Sequence, residues 1–204
     1  MTGAFALCHY SLHTIVYGKE KGDMAPSQDK AHSEVLGDAK TDAASLTFAQ
    51  DAGDGEAWWF GELATIKATG EQTGGRYTLV EILAPDGYEG VWHVHHREDE
   101  GFYILEGEMT FHVGQQTIKA GPGSYLFGPR DVPHTYTVDS GPARLLFIFT
   151  PAGMEGFIRE SSEPARSLSV PPPPEGPPDP AMMKQLGALA NKYGAEILGA
   201  PPTQ

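Results

Sequence analysis

Two histidines separated by one residue, with an acidic residue shortly after them, form the most informative segment of the chain. On a strand, residues two apart point to the same face, so His93 and His95 present two imidazoles side by side. Glu100 follows after a short turn, and His134 supplies a third imidazole from farther along the chain. Three neutral nitrogens and one carboxylate suit a transition metal, whereas Ca²⁺ and Mg²⁺ prefer oxygen ligands alone. The spacing therefore predicts a site for one divalent ion of Fe, Mn, Co, Ni, Cu or Zn.

Several neighbouring side chains compete for a place in this site. Glu98 and Asp99 stand beside Glu100, and a different turn conformation would exchange them. His96 points to the opposite face of its strand, so we interpret it as structural or exposed. His112 lies in the middle of another strand-like run, and we interpret it as a solvated residue. A single histidine on a strand is seldom a ligand, and only the joint register of four candidates favours a metal.

The spacing of these residues resembles the two sequence motifs of the cupin family. The first motif is glycine, five residues, His-x-His, four residues, glutamate, six residues and glycine. It fits Gly87, His93, His95, Glu100 and Gly107. The second motif fits Gly123, Pro129 and His134, but Asp131 stands where the family has glycine and Val138 where it has asparagine. The resemblance implies that Glu100 is the fourth ligand, and the two departures affect no ligand of the family.

The elements that position the site are predicted from short runs of aromatic and β-branched residues between Gly, Pro and Asp turns. Such runs occupy residues 45–155 without a helical period between them, which is typical of an all-β sandwich or barrel. The resemblance implies the cupin form of that fold, a double-stranded β-helix or jelly-roll barrel. Residues 1–44 are polar and without sustained period, and we expect a flexible leader there.

Residues 156–204 are predicted to form a Pro-rich strap followed by a short C-terminal helix. Four prolines at 171–174 favour an extended polyproline-like conformation. Asp179 is a suitable N-cap, Pro180 suits the first helical position, and Gly194 suits the end of the helix. An apolar stripe at helical spacing, made of Met182, Leu186, Leu189 and Tyr193, is expected to pack onto the barrel or onto a second subunit.

The expected interior of the barrel is apolar and aromatic. Alternation from Glu100 points Phe102 and Ile104 inward, and alternation from His134 adds Tyr136. A cavity lined by these residues suits a small, flat aromatic or enolic substrate better than a sugar phosphate, which would need several basic residues. We therefore expect a small molecule as the partner of this site.

Within the cupins, the chain resembles single-domain bacterial proteins similar to quercetin 2,3-dioxygenases. The resemblance implies an oxidoreductase that takes a flavonol and dioxygen. The flavonol 3-hydroxyl would meet the metal, Glu100 would accept its proton, and dioxygen would open the ring with release of carbon monoxide. Two alternatives stay open: a cupin isomerase, epimerase or cyclase that uses the metal only as a Lewis acid, and a cupin that binds a small molecule without turnover.

Composition narrows the range of partners. The chain has 27 acidic and 14 basic residues, and its net charge of −13 disfavours nucleic acid and anionic membranes as partners. The lone Cys8 cannot form an intrachain disulfide, and the N-terminal apolar run is too short for a secretory signal, so we expect a cytoplasmic protein. Translation could start at Met1 or at Met24. Outward-facing Tyr103 and Leu105 are expected to contact a second subunit in a homodimer.

Overall fold

The structure, a computed structural model, describes residues 47–171 and 179–199. In chain order its strands are β1 Glu56–Trp59, β2 Leu63–Ala68, β3 Thr78–Ala84, β4 Trp92–His95, β5 Asp99–Val113, β6 Gln116–Ala120, β7 Tyr125–Gly128, β8 His134–Thr150, β9 Glu163–Pro164 and β10 Ala195–Gly199. The helices are α1 Gly70–Thr73, α2 Met154–Ser161 and α3 Pro180–Lys192. The predicted leader at residues 1–44 and the strap residues 172–178 lie outside the described residues.

Two long strands, β5 and β8, pass through both layers of the molecule. The first half of β5 pairs with the second half of β8, and the second half of β5 pairs with the first half of β8. The strand β5 bends at Gly107, whose φ of 87° lies in the left-handed region, and a Cβ there would lie 2.8 Å from Ala143. Glycine is therefore required at this bend. The sequence pattern predicts two separate strands at residues 101–105 and 108–113, and the structure joins them.

The bends divide one antiparallel sheet into two facing layers. One layer has the order β9-β1-β2-β3-β8-β5-β7, and the other has the order β10-β4-β8-β5-β6. Side chains of β3 alternate between buried and partly buried along its whole length, as expected for a strand with one face on the core. The apolar side chains between the layers form a single cluster that includes Val80, Ile82, Phe102, Phe111 and Leu145. The all-β architecture predicted from the sequence is confirmed.

The C-terminal helix has the predicted boundaries. The Asp179 side chain accepts a hydrogen bond from the Ala181 N–H, and Pro180 occupies the first helical position. Leu186 is buried, whereas Met182 is 55% exposed, so only part of the expected apolar stripe contacts the barrel. After the helix, β10 pairs with β4, the strand that carries two of the proposed metal ligands. Neither β10 nor the helix α2 was expected from the sequence.

The outer surface of the first layer carries apolar side chains. Tyr103 and Leu105 are 38% and 37% exposed, and Tyr125 and Phe127 of the neighbouring strand are more exposed still. Contact of this face with a second subunit stays a prediction. Within residues 47–171 and 179–199, no helix is long and apolar enough to cross a membrane.

Candidate metal centre

Three strands bring the four proposed ligands to one end of the barrel interior. His93 lies on β4 directly opposite His134, the first residue of β8. Glu100 lies near the start of β5, where it pairs with Phe149 of β8. The period of two within β4 places His95 on the same side as His93. Strand pairing therefore assembles residues that are up to 41 positions apart in the chain.

The four side chains converge on one point. One ligand atom from each of His93, His95, Glu100 and His134 lies within 4.8 Å of all the others. The Nε2 atoms of His93 and His95 are 3.2 Å apart, and Glu100 Oε2 lies 3.3 Å from His95 Nε2 and 2.9 Å from His134 Nε2. Metal–nitrogen bonds of about 2.0–2.1 Å place the ligands of one ion at such separations. The cluster is thus able to hold a metal ion.

Hydrogen bonds behind the rings set which nitrogen faces the site. His93 Nδ1 donates to the Val91 carbonyl at 2.8 Å, and His134 Nδ1 donates to the Val132 carbonyl at 2.9 Å. The Nε2 atoms of these rings then carry lone pairs that point toward one another and toward Glu100. Lone pairs at these distances repel unless a proton or a cation lies between them. This donor arrangement fits a metal ion well.

Burial and neighbouring charges shift the pKa values of the ligands. Burial lowers the pKa of His93 to about 3, and the nearby His134 and His95 contribute in the same direction, so this imidazole is neutral at physiological pH. Burial opposes ionisation of Glu100, but its close contacts with His134 and His95 outweigh burial and hold its pKa well below the usual range. Burial likewise acts against a charged His134, yet the contact with Glu100 raises its pKa overall. A neutral imidazole and an ionised carboxylate are the forms that bind metals.

The structure places the competing side chains elsewhere. Glu98 is buried behind His95, with its Oε2 3.9 Å from His95 Nδ1, on the far side of that ring from the site. Asp99 pairs with Arg130 at 2.8 Å near the surface. His96 is exposed and hydrogen-bonds Asp131 at 2.7 Å. The interpretation of His96 as an exposed residue agrees with the structure.

The turn before His134 tolerates its departure from the cupin motif. Asp131, which replaces the family's glycine, has a φ of 63°, in the left-handed region that glycine adopts readily. Its backbone N–H donates to the His95 carbonyl at 2.7 Å, so the turn is tied to the strand that carries two ligands. Val138, which replaces the asparagine, is 1% exposed and belongs to the core. Neither replacement moves His134 out of the cluster.

A cavity adjoins the four ligands and extends between the two layers. The cavity has a volume of about 130 Å³, which is several times what one water molecule needs. Phe102 and Tyr136 line it as expected, but Ile104 does not. Ile104 is fully buried two residues farther along β5, where other core side chains cover it. The strand β8, the helices α2 and α3, and the strand β10 contribute further wall residues. The wall includes Phe60, Phe147, Phe149, Phe157, Leu186 and Ile197.

One polar pair inside this cavity was not expected from the sequence. The Tyr136 hydroxyl donates a hydrogen bond to Glu62 Oε2, and both side chains are buried and line the cavity. Burial raises the pKa of Glu62 to about 8, so its carboxyl group is neutral at physiological pH. Glu62 stands between a glycine and a leucine in the sequence, and nothing in that context separates it from a turn residue. It lies in the turn between β1 and β2, and the fold buries its side chain.

Comparison with known proteins gives consistent results. Residues 79–149 match the family described as Cupin domain. The chain is 28% identical over 146 residues to a quercetin 2,3-dioxygenase of Bacillus subtilis and 27% identical over 104 residues to one of Aspergillus japonicus. These alignments cover 71% and 48% of this chain, but only 43% and 30% of the relatives, so the chain spans less than half their length. Among solved structures, an RmlC-like cupin from Shewanella frigidimarina has a TM-score of 0.47 at 22% identity, covering 54% of this chain and 96% of that one.

Proposed function

We propose that this chain, which carries a cupin domain and resembles the quercetin 2,3-dioxygenases, is a metal-dependent dioxygenase for a flavonol-like or other enolic aromatic substrate. The observation that supports this most is the position of the four ligands at the wall of an aromatic cavity. A ligand set that opens into an aromatic-lined cavity is suited to chemistry on a bound molecule, whereas a purely structural metal site is closed. Cupin relatives are often enzymes. For this chain we propose that the specific activity is that of a dioxygenase.

A divalent transition metal held by His93, His95, Glu100 and His134 would supply Lewis acidity toward a substrate hydroxyl. The residues of the chain provide the rest of the site. Glu100 is 2% exposed and ionised, so its carboxylate can accept a proton from a hydroxyl placed within hydrogen-bond reach. A carboxylate is a weak base, so the hydroxyl must itself be acidic, as an enolic or phenolic hydroxyl beside a cation is. This requirement favours enols over simple alcohols.

The cavity wall selects the body of the substrate. Its described lining contains many aromatic side chains and neither lysine nor arginine. A phosphorylated or strongly anionic substrate would find no cation there to replace its hydration, whereas a flat aromatic molecule would bury its faces against the rings. The same walls exclude bulk water from the carboxylate of Glu100, which keeps a deprotonated substrate from regaining its proton.

A metal-dependent isomerase is the second candidate, and one observation favours it. Glu62 holds a proton at neutral pH while Glu100 is ionised, so one cavity contains both an acid and a base. Such a pair can move a proton between two positions of a substrate without consuming dioxygen. Oxygen consumption therefore separates the two candidates. The homodimer, the cytoplasmic location and the boundaries at residues 44 and 155 stay predictions.

Oxygen uptake by the purified protein tests the proposal. The protein is reconstituted separately with Fe, Mn, Co and Ni, its metal content is measured, and quercetin is added. We expect uptake with at least one metal, and we expect Glu100→Gln to abolish it. Glu106→Gln, which changes an exposed carboxylate on the same strand, is the matched control and should keep the activity. Full metal occupancy without uptake from any enolic aromatic compound would move the assignment to the isomerase.

A further inference from the structure

The cavity contains a second polar position besides the metal centre. Glu62 is 8% exposed, and the one side-chain hydrogen bond that it forms within the described residues comes from the Tyr136 hydroxyl. The Tyr136 ring is itself fixed by the rings of Tyr88, Phe111 and Phe147, at centroid distances of 5.7–5.8 Å. The carboxyl group of Glu62 is therefore held in one place, in a wall that is otherwise almost entirely apolar.

The hydrogen bond from Tyr136 fixes where the proton of Glu62 lies. No lysine, arginine or histidine contacts Glu62 among the described residues, and its side chain is buried. A buried carboxyl in such surroundings keeps its proton. Because Oε2 accepts from Tyr136, the proton belongs on Oε1, which has no partner within the described part of the chain. Glu62 lines the cavity, and its Oε1 is a hydrogen-bond donor without a partner among the described residues.

We propose that Glu62, positioned by Tyr136, donates a hydrogen bond from Oε1 to a carbonyl oxygen of the ligand. This inference rests on the proposed function and narrows its substrate class to aromatic hydroxy-carbonyl compounds. The hydroxyl is recognised at the metal centre and the carbonyl at Glu62. In a largely apolar cavity, a ligand carbonyl would give this donor an acceptor. A ligand with no acceptor oxygen at that position lacks the second contact.

The test measures binding of two ligands that cannot be turned over. Flavone has the ring carbonyl but no 3-hydroxyl, and flavan has neither group. Their affinities are measured by titration calorimetry on the protein loaded with Zn²⁺, which has no redox chemistry. We expect Glu62→Leu to weaken flavone binding about tenfold and to change flavan binding less than about threefold.

The Glu62→Gln variant tests whether Glu62 contacts the ligand as a hydrogen-bond donor or as an acceptor. The amide oxygen of the introduced glutamine can accept from Tyr136 while its NH₂ group donates to the ligand, so flavone affinity should stay within about threefold. Equal losses in Glu62→Gln and Glu62→Leu would mean that a donor at this position does not bind the carbonyl, and the proposal would be wrong. It would also be wrong if Glu62→Leu left flavone binding unchanged. Glu71→Leu, at an exposed position of α1, is the control for loss of a carboxylate.

A measurement on the unchanged protein covers the case in which Glu62→Leu fails to fold. The infrared band of the flavone carbonyl should move to lower frequency on binding, because a hydrogen bond weakens the C=O bond. An unshifted band would overturn the proposal. None of these outcomes depends on dioxygen, so they are separate from the oxygen-uptake experiment. If flavone binds through Glu62 but no oxygen is consumed, the Glu62 contact is supported and only the proposed dioxygenase activity is rejected.

Discussion

Replacing Glu62 by glutamine should change how the stability of the protein depends on pH. The pKa of Glu62 rises from 4.5 to about 8 on folding, chiefly through burial. Between these two values the folded state keeps the proton that the unfolded chain has lost. The free energy of unfolding therefore falls as pH rises through this window, by about 1.4 kcal/mol per pH unit.

The magnitude follows from the width of the window. A pKa difference of roughly 3.5 units lowers the free energy of unfolding by about 5 kcal/mol once the pH exceeds 8. Below pH 4.5 the free energy of unfolding is almost unaffected. Glu62→Gln keeps the acceptor for the Tyr136 hydroxyl but has no proton to lose. We expect the variant to gain about 4 kcal/mol relative to the parent protein between about pH 5 and pH 8.5. In a chain of this size that gain raises Tm by about 8–16 °C.

Thermal or urea unfolding of both proteins across this pH range is the assay. Titration of the metal ligands is common to the two proteins, so the difference between them isolates Glu62. Glu71→Gln, at an exposed carboxylate, is the control for loss of a negative charge. A stability difference between parent and Glu62→Gln that stays constant from pH 5 to pH 8.5 would refute the assignment of a buried, neutral carboxyl group.

Three further outcomes are expected. His134→Ala should lose most of its metal by elemental analysis, while circular dichroism shows that the barrel is still folded. His96→Ala, at an exposed histidine, should keep the metal. Full metal occupancy in His134→Ala would contradict the ligand assignment. Asp131→Ala should destabilise the protein by about 1 kcal/mol in urea unfolding, because alanine tolerates a φ of 63° poorly, and Asp131→Gly should be more stable than Asp131→Ala. Ile104→Ala should cost about 2–5 kcal/mol of stability and leave flavone affinity nearly unchanged, since Ile104 is core rather than cavity wall.

Local sequence signals were sufficient for the parts of the molecule that depend on short-range geometry. Alternation along a strand predicted which face His93 and His95 share, and the spacing to Glu100 and His134 matched a known motif. The cap at Asp179 was equally readable, because one carboxylate and the following proline define a helix start. The predicted all-β fold and the resemblance to cupins are both confirmed.

Other parts depend on which distant segments come together, and these could not be read locally. The burial of Glu62 results from the pairing of β1 and β2 beneath Tyr136, a residue 74 positions away. The alternation of side chains along β5 predicted that Ile104 points into the barrel, and Ile104 is buried there. How far the cavity extends along β5, however, depends on the side chains that fill the space between the two layers. The strand β10 has few residues and no distinctive pattern, and only its partner β4 makes it a strand.

The pairing of β10 with β4 has a consequence for the order in which the chain can be completed. Ala195 lies opposite His95, and Ile197 lies opposite His93, so about a hundred residues separate the two partners. During synthesis, β4 emerges from the ribosome long before β10, and its outer edge has no hydrogen-bonding neighbour in the meantime. An open edge is a template for pairing with other chains. Release of a nascent chain before residue 195 would therefore leave the strand that bears two histidines exposed to aggregation.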